Sequence, residues 1–294
     1  MDFRPIDIES KIVFDSFFKN KYENSETSFA NLYMWKDYYN TVYTVYDGFL
    51  VIVNTSPNGK LHCYMPYGKG NIEKCLGDLY EYVKSQGQAL RITNASEEQT
   101  TIIKEVFPKV IIRENDAFND YVYSSEKLIT LSGKKLHSKR NHLNKFKATY
   151  DYSYRPMTKE DFASCLELAG KLMLKDRDAD SLSYVEDLRS INTAFENFDI
   201  FEMSGGVIEI EGQIRAFTVG EPLTDECALI HIEKADTNFD GIYAAINNEF
   251  VKNRWSDYKY INREEDMGIP GLRKAKLSYR PDHMVRKFMC IVDE

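Results

Sequence analysis

The chain has 294 residues, 43% hydrophobic and 29% charged, enough apolar material for a packed core, which excludes wholesale disorder. With 15 Gly and 8 Pro it is not collagen-like. A net charge of −8 excludes a protein that coats nucleic acid over its whole surface, while leaving room for a local basic patch.

No apolar run approaches the ~20 residues of a bilayer-spanning helix; the longest is Phe49-Leu50-Val51-Ile52-Val53. The start, Met1-Asp2-Phe3-Arg4-Pro5, lacks the basic-then-apolar plan of a signal peptide, so a cytoplasmic location is expected. Cys63, Cys75, Cys165, Cys227 and Cys290 are widely spaced with no C-x-x-C, which predicts buried free thiols instead of a disulfide framework or a zinc site. The 20 Tyr and 17 Phe point to aromatic strands in a β-rich core.

Taken in chain order, the elements repeat. Phe3-Arg4-Pro5-Ile6-Asp7 and Tyr154-Arg155-Pro156-Met157-Thr158 both read aromatic-Arg-Pro-apolar-cap, each followed by acidic residues. Each predicts a short strand, then a helix whose first backbone donors Asp7 or Thr158 can cap. In the first copy a helix over about 8–19 leads to a second holding Phe29, Leu32, Tyr33 and Trp35. Strands are predicted near 41–46, 49–54 and 61–66. The second copy predicts helices over about 159–174 and 183–195, then strands near 198–203 into 207–211, 214–220 and 228–233. Asp47-Gly48, Asn58-Gly59, Gly205-Gly206 and Glu211-Gly212 mark the turns.

The later parts also match. Ile72, Cys75, Leu76, Leu79 and Val83 fall at helical spacing, as do Ile242, Ile246 and Phe250. Each helix leads to a short strand with a polar exit, 90–94 and 258–262, then another short helix and a terminal strand pair. This order is similar to the acyltransferase fold of the Gcn5-related N-acetyltransferase superfamily, and two in tandem resemble the Fem-type aminoacyl transferases. The expected class is therefore α+β, with mixed central sheets flanked by helices. Residues 1–125 and 151–294 form the two expected domains, joined by a basic linker helix over 126–150.

Two segments are chemically dense. The run from Lys134 to Lys147 is rich in Lys and Arg, carries His137 and His142 and contains no acid. Ser132 could cap a helix there, with Leu136, Leu143 and Phe146 as a thin apolar stripe. Lys135, Lys139, Arg140 and His142 would then offer an anionic ligand both charge and a guanidinium fork. In the second segment, Tyr260 to Pro281, a strand ends among polar residues, Gly and Pro turn the chain, and a short helix begins. Ligands gather at such strand ends. The candidate binding residues are Asn262, Arg263, Glu264, Asp266, Arg273, Lys274 and Lys276; a salt-bridge network that fixes the loop would use the same residues.

Asn262-Arg263-Glu264-Glu265-Asp266, Gly268, Gly271-Leu272-Arg273-Lys274-Ala275-Lys276, Ser278-Tyr279 and Pro281 resemble the signature of the phosphatidylglycerol lysyltransferase C-terminal domain family, in its soluble branch. The basic run and Phe29-Ala30-Asn31-Leu32-Tyr33-Met34-Trp35 are further matches. The resemblance implies an acyl or aminoacyl transferase. Characterised membrane members move an aminoacyl group from tRNA to a lipid hydroxyl, and this sequence shows none of their membrane-spanning half.

Such chemistry needs an oxyanion donor, a base and an acid for the leaving group. Backbone N–H groups near 231–234 could serve as the donor. Glu233 is the first candidate base and Glu265 the second; Tyr279, placed where the superfamily often has a Tyr, is the candidate acid. The stretch Lys234 to Tyr243 keeps only Gly241 of the glycine-rich turn that cradles the CoA pyrophosphate. An aminoacyl-tRNA donor is therefore expected ahead of acyl-CoA, with tRNA as a candidate partner and a small-molecule, peptide or lipid-headgroup acceptor. No metal site is expected. Asp176-Arg177-Asp178-Ala179-Asp180 echoes a calcium loop but lacks its Gly and reads as an acidic helix connection near the acceptor cleft. A non-catalytic ligand-binding protein and a CoA-dependent N-acetyltransferase are the alternatives.

Overall fold

The computed structural model describes residues 1–175 and 181–293, so the calcium-loop-like segment 176–180 lies outside the described residues. The chain divides into two compact units, Met1–Asn119 with Val285–Glu294, and Asp120–Met284. Both are mixed α+β.

Unit one holds β1 (Arg4–Pro5), α1 (Lys11–Phe18), α2 (Phe29–Met34), β2 (Val42–Tyr46), β3 (Phe49–Thr55), β4 (Leu61–Tyr64), β5 (Tyr67–Gly68), α3 (Ile72–Ser85), β6 (Leu90–Ala95), α4 (Glu97–Val106) and β7 (Ile111–Glu114). Its sheet runs β1-β2-β3-β4-β6, then a strand from the far end of the chain, β15 (Phe288–Val292), then β7; β5 pairs with β3. Asp7 caps the first turn through its carboxylate, as its position predicts. Cys75, Leu76, Leu79 and Val83 form the buried face of α3, in one core with Val51 and Val53 of β3. Asn71 begins that helix by accepting from the Lys74 N–H at 2.9 Å.

Unit two holds β8 (Asp120–Ser124), α5 (Ser125–Thr130), α6 (His137–Thr149), β9 (Tyr152–Pro156), α7 (Phe162–Lys175), α8 (Ser181–Glu196), β10 (Ser204–Ile210), β11 (Gln213–Pro222), β12 (Cys227–Ala235), α9 (Ile242–Arg254), β13 (Tyr260–Asn262), α10 (Pro270–Ser278) and β14 (His283–Val285). The sheet order is β14-β8-β13-β12-β11-β10-β9. Thr158 begins the helical run before α7 with a capping box completed by Asp161. Ala244, Ala245, Ile246 and Phe250 of α9 bury against Ile208, Ala216 and Ile230 of the sheet.

The repeat is present, but its two copies exchange a strand. β8, at the end of the first copy, lies between β14 and β13 in the second sheet. β15, at the end of the second copy, lies between β6 and β7 in the first. The units therefore differ from the expected blocks 1–125 and 151–294. The basic segment is no linker: Leu136, Leu143 and Phe146 are buried in the core of unit two, because its apolar stripe has α9 to pack against. Ser132 caps nothing there; α6 follows Leu136, and no side chain caps it. Residues 198–202 form turns instead of a strand, and Met203 N–H bonds back to the Phe198 carbonyl at 3.0 Å. The five cysteines are buried free thiols.

Candidate active site

β12 and β13 run parallel and pair over only three steps, Cys227↔Tyr260, Ala228↔Ile261 and Leu229↔Asn262. Beyond them β12 continues to Ala235 while the other chain turns away into loop 263–269, so the strands part. A bulge contributes to the divergence. Val219 pairs with Ile232 and Gly220 with Ile230, which leaves His231 as the extra residue of β12. Gly220 is required there, since a Cβ would come within 2.4 Å of the Leu229 carbonyl oxygen.

Glu233 lies on β12 past the last shared pair. Arg263 Nη2 donates to its Oε1 at 2.8 Å, and Asn247 Nδ2 from α9 donates to its Oε2 at 3.1 Å. Arg263 stacks its guanidinium 5.1 Å from the Tyr279 ring centre and 5.7 Å from that of Tyr123. Burial opposes the charge of Arg263, but Glu233 and the two tyrosines outweigh it and raise its pKa. Lys139 reaches in from α6, with Nζ 4.5 Å from the Tyr279 ring centre. Burial lowers the Lys139 pKa; Arg263 adds to this and Glu233 opposes it. Burial pushes the Tyr279 phenol up to about 12, so it holds its proton at neutral pH.

A second cluster closes the same divergence. The His231 side chain is 1% exposed, with Nδ1 2.8 Å from Glu264 Oε1 and Nε2 3.0 Å from Glu221 Oε1. Burial alone would lower its pKa; hydrogen bonds to Glu221 and Glu264 overcome that and raise it to about 10. His231 is thus a buried imidazolium that ties β11 and the loop after β13 to the bulge. Next along β12, Lys234 Nζ meets Asp187 of α8 at 2.5 Å.

Most polar residues of the signature are engaged within the chain. Asn262 is fully buried; its Nδ2 donates to Asp120 Oδ2 at 3.0 Å, and its Oδ1 accepts from the Glu264 N–H at 2.7 Å. Asp266 accepts from Arg273 Nε at 2.7 Å, from the Gly268 N–H at 2.8 Å and from the Tyr121 hydroxyl. Lys276 donates to three backbone carbonyls: Arg263 at 2.6 Å, Glu264 at 3.1 Å and Glu265. Burial lowers the Lys276 pKa to about 8. Together these bonds shape the loop that carries Arg263. Glu265 is half-buried, and Lys274 is exposed.

The basic helix divides similarly. Arg140 Nη1 donates to the Leu131 carbonyl at 2.6 Å, satisfying the left-handed end of α5. His142 Nδ1 is 3.9 Å from Asp240 Oδ1, and Lys145 Nζ is 2.7 Å from Asp240 Oδ2. Lys135 is exposed. Of the expected residues, Glu233, Arg263, Tyr279 and Lys139 are therefore brought together. Asn247, Tyr123 and His231 join them in roles the sequence did not assign. The only signal for Asn247 was an Asn-Asn pair where an apolar helix should bury aliphatic residues. Among the described residues no cluster of three or more His, Cys, Asp or Glu is placed to hold a metal.

The chain carries two mixed α+β units in tandem, a fold it shares with FemX and with a tandem GNAT protein of the clavulanic acid biosynthesis pathway. The model of the phosphatidylglycerol lysyltransferase C-terminal domain matches residues 19–291, so the chain belongs to that family. It is similar to a crystal structure of a conserved protein of unknown function from Bacteroides thetaiotaomicron, at 35% identity over 100% of both chains with a TM-score of 0.91. L-PGS from Bacillus licheniformis shares the fold at 14% identity, with a TM-score of 0.67 over 97% of this chain and 91% of that one. FemX shares it at 9% identity and a TM-score of 0.59, over 98% and 97% of the two chains. An uncharacterised protein from Mycoplasmoides gallisepticum is 26% identical over 69% of this chain, a match spanning 65% of that relative's length. Among the described residues no helix is long and apolar enough to cross a membrane.

Proposed function

We propose that this chain transfers an aminoacyl or related acyl group from an aminoacyl-tRNA-type ester to an amine or hydroxyl acceptor. The observation that carries the reading is the convergence of Glu233, Arg263, Tyr279 and Lys139 where β12 and β13 part. Glu233 accepts the proton of the attacking N–H or O–H as its heteroatom bonds to the acyl carbon. Arg263 Nη1 has no hydrogen-bond partner among the described residues and faces the oxyanion that forms. The bond to the ribose oxygen then breaks, and that oxygen takes the Tyr279 proton. Lys139, over the ring, favours the phenolate left behind; Tyr279 then regains a proton from solvent and protonated Glu233 releases one, which restores both groups. Asn247 is a positioning residue for Glu233, and Lys276 for Arg263 through its carbonyl.

The start of α9 supports a donor other than CoA. Gly241 has φ of +91°, and a Cβ there would lie 2.6 Å from the His142 carbonyl oxygen. That helix end thus faces α6 and the Asp240 carboxylate, where a pyrophosphate would need open backbone donors. The acceptor class, whether small molecule, peptide or lipid headgroup, follows from assay. The test incubates the protein with tRNA carrying a labelled amino acid and these acceptors, and follows loss of label. Wild type should discharge the tRNA faster than buffer does, and Glu233→Gln and Tyr279→Phe should not; a wild type no faster than buffer overturns catalysis. One observation favours a second reading, a cleft that binds without turnover: both Glu233 oxygens are already engaged by Arg263 and Asn247.

A further inference from the structure

In unit one, β4 and β6 pair in parallel at only two steps, Cys63↔Ile92 and Tyr64↔Thr93, before they part. A cavity of about 320 Å³ opens beyond them, between the segment 65–70 that leaves β4 and the helix α4 that follows β6. That size lies at the lower end of small-molecule sites, about 300–1,000 Å³. Phe49, Met65, Ile72 and Ile102 give it apolar walls, and none of its lining residues is an Asp or Glu. Two lining glycines serve close packing. A Cβ on Gly68 would come within 2.1 Å of the Gly48 carbonyl oxygen, and one on Gly70 within 2.3 Å of the Asp47 carbonyl oxygen. The Lys69 N–H between them donates to the Gly48 carbonyl at 3.2 Å. This turn is therefore strapped to the β2–β3 hairpin, where a pyrophosphate would need its backbone donors open.

Three side chains on the cavity hold a hydrogen-bonding group in reserve. Tyr67 is 4% exposed, and its hydroxyl has no hydrogen-bond partner among the described residues. Gln99 Oε1 accepts from the Ser96 N–H at 2.8 Å, which fixes the amide and leaves Nε2 as a donor without a partner among the described residues. Lys69 is exposed and has no ion-pair partner among the described residues. The charge of Glu26, which reaches Tyr67, is already paired with Lys287. An ammonium and an amide nitrogen only donate, and a hydroxyl can do so too. A buried hydroxyl left unpaired is costly, so the cavity calls for an occupant that brings acceptor atoms. Lys69 favours negative charge on that occupant, and the walls favour an apolar body. We propose that this cavity binds a small amphipathic anion, a single carboxylate or phosphate group on an apolar chain. Lys69 takes the anionic end, Gln99 and Tyr67 supply further donors, and the chain lies against Met65, Ile72 and Ile102. Every residue named belongs to unit one, so the inference is independent of the transfer reading.

The test measures binding of octanoate, octyl phosphate and octanol to the full chain by calorimetry. The two anions stand for a free carboxylate and a phosphate monoester, and the tighter one identifies the source of the charge. At least one should bind about tenfold more tightly than octanol, the effect of one charge-assisted hydrogen bond. Lys69→Met should remove that preference and leave octanol binding unchanged. Tyr67→Phe should weaken the anion several-fold with an unchanged or higher melting temperature, because the hydroxyl is unpaired in the free protein. No binding of either anion, octanol binding as tight as both, or a preference that survives in Lys69→Met overturns the inference. Discharge of charged tRNA is followed in the same preparations. If tRNA is discharged and neither anion binds, the inference fails and the transferase reading stands; if the anion binds and tRNA is not discharged, the reverse holds.

Discussion

Arg263 and Glu233 meet at 2.8 Å across two strands that pair for only three residues before parting. Each side chain in the pair is 13% exposed. Removing one partner would leave a largely buried charge uncompensated, a loss of about 3 kcal/mol. In the proposed chemistry Arg263 also faces the oxyanion. Arg263→Met should therefore lower both the melting temperature and the single-turnover transfer rate, the latter by about 10²–10³. Glu233→Gln keeps the shape and should lower the rate by at least about 10², with a smaller effect on stability.

The His231 cluster sets a pH dependence of opposite sense to that of acid denaturation. Its folded pKa is raised to about 10 from 6.5. The stabilisation is fully present below pH 6.5 and is lost as pH rises through about 10. Wild type should lose stability over that window relative to His231→Leu, whose curve should be flatter. At neutral pH the variant should be less stable by about 3 kcal/mol, because Glu221 and Glu264 would face each other without the cation. Urea titrations at half-unit pH intervals check both points.

Lys276 runs the other way. Its pKa falls from 10.5 to about 8, so its contribution to stability rises as pH climbs from about 8 to 10.5. Lys276→Met leaves three carbonyls of the Arg263 loop without their donor. It should cost about 2 kcal/mol and slow transfer, while tRNA binding measured by filter retention stays within a factor of about two.

Gly241→Ala tests the packing of the basic helix. The residue has φ of +91° and no space for a methyl group beside His142. A loss of about 1–2 kcal/mol is expected, with faster amide exchange in α6 than in unit one. Lys134→Glu with Lys135→Glu leaves this packing untouched, since both residues are exposed. It should weaken tRNA binding several-fold if RNA approaches along this helix.

Much of the scaffold was legible because it is written locally. Capping residues Asp7 and Thr158 and the spacing of Cys75, Leu76, Leu79 and Val83 each fix an element from its own neighbours. Strand partners are a long-range choice, so β8 and β15 could be placed as strands but not in the right sheet. The same limit applies to the site. Glu233 and Tyr279 came through the family resemblance. Asn262, Asp266, Arg273 and Lys276 looked like ligand contacts because a dense polar loop reads alike whether its partners are inside the chain or outside it. His231 depended on a bulge that only the register reveals.

The position of β15 carries a consequence for synthesis. Residues 288–292 fill the gap between β6 and β7, yet they leave the ribosome after all of Asp120–Met284. The half of the protein made first must therefore wait, its sheet interrupted, until the half made second is complete. Deleting residues 288–292 alone would take a strand from the sheet of the half made first and none from the sheet of the half made second.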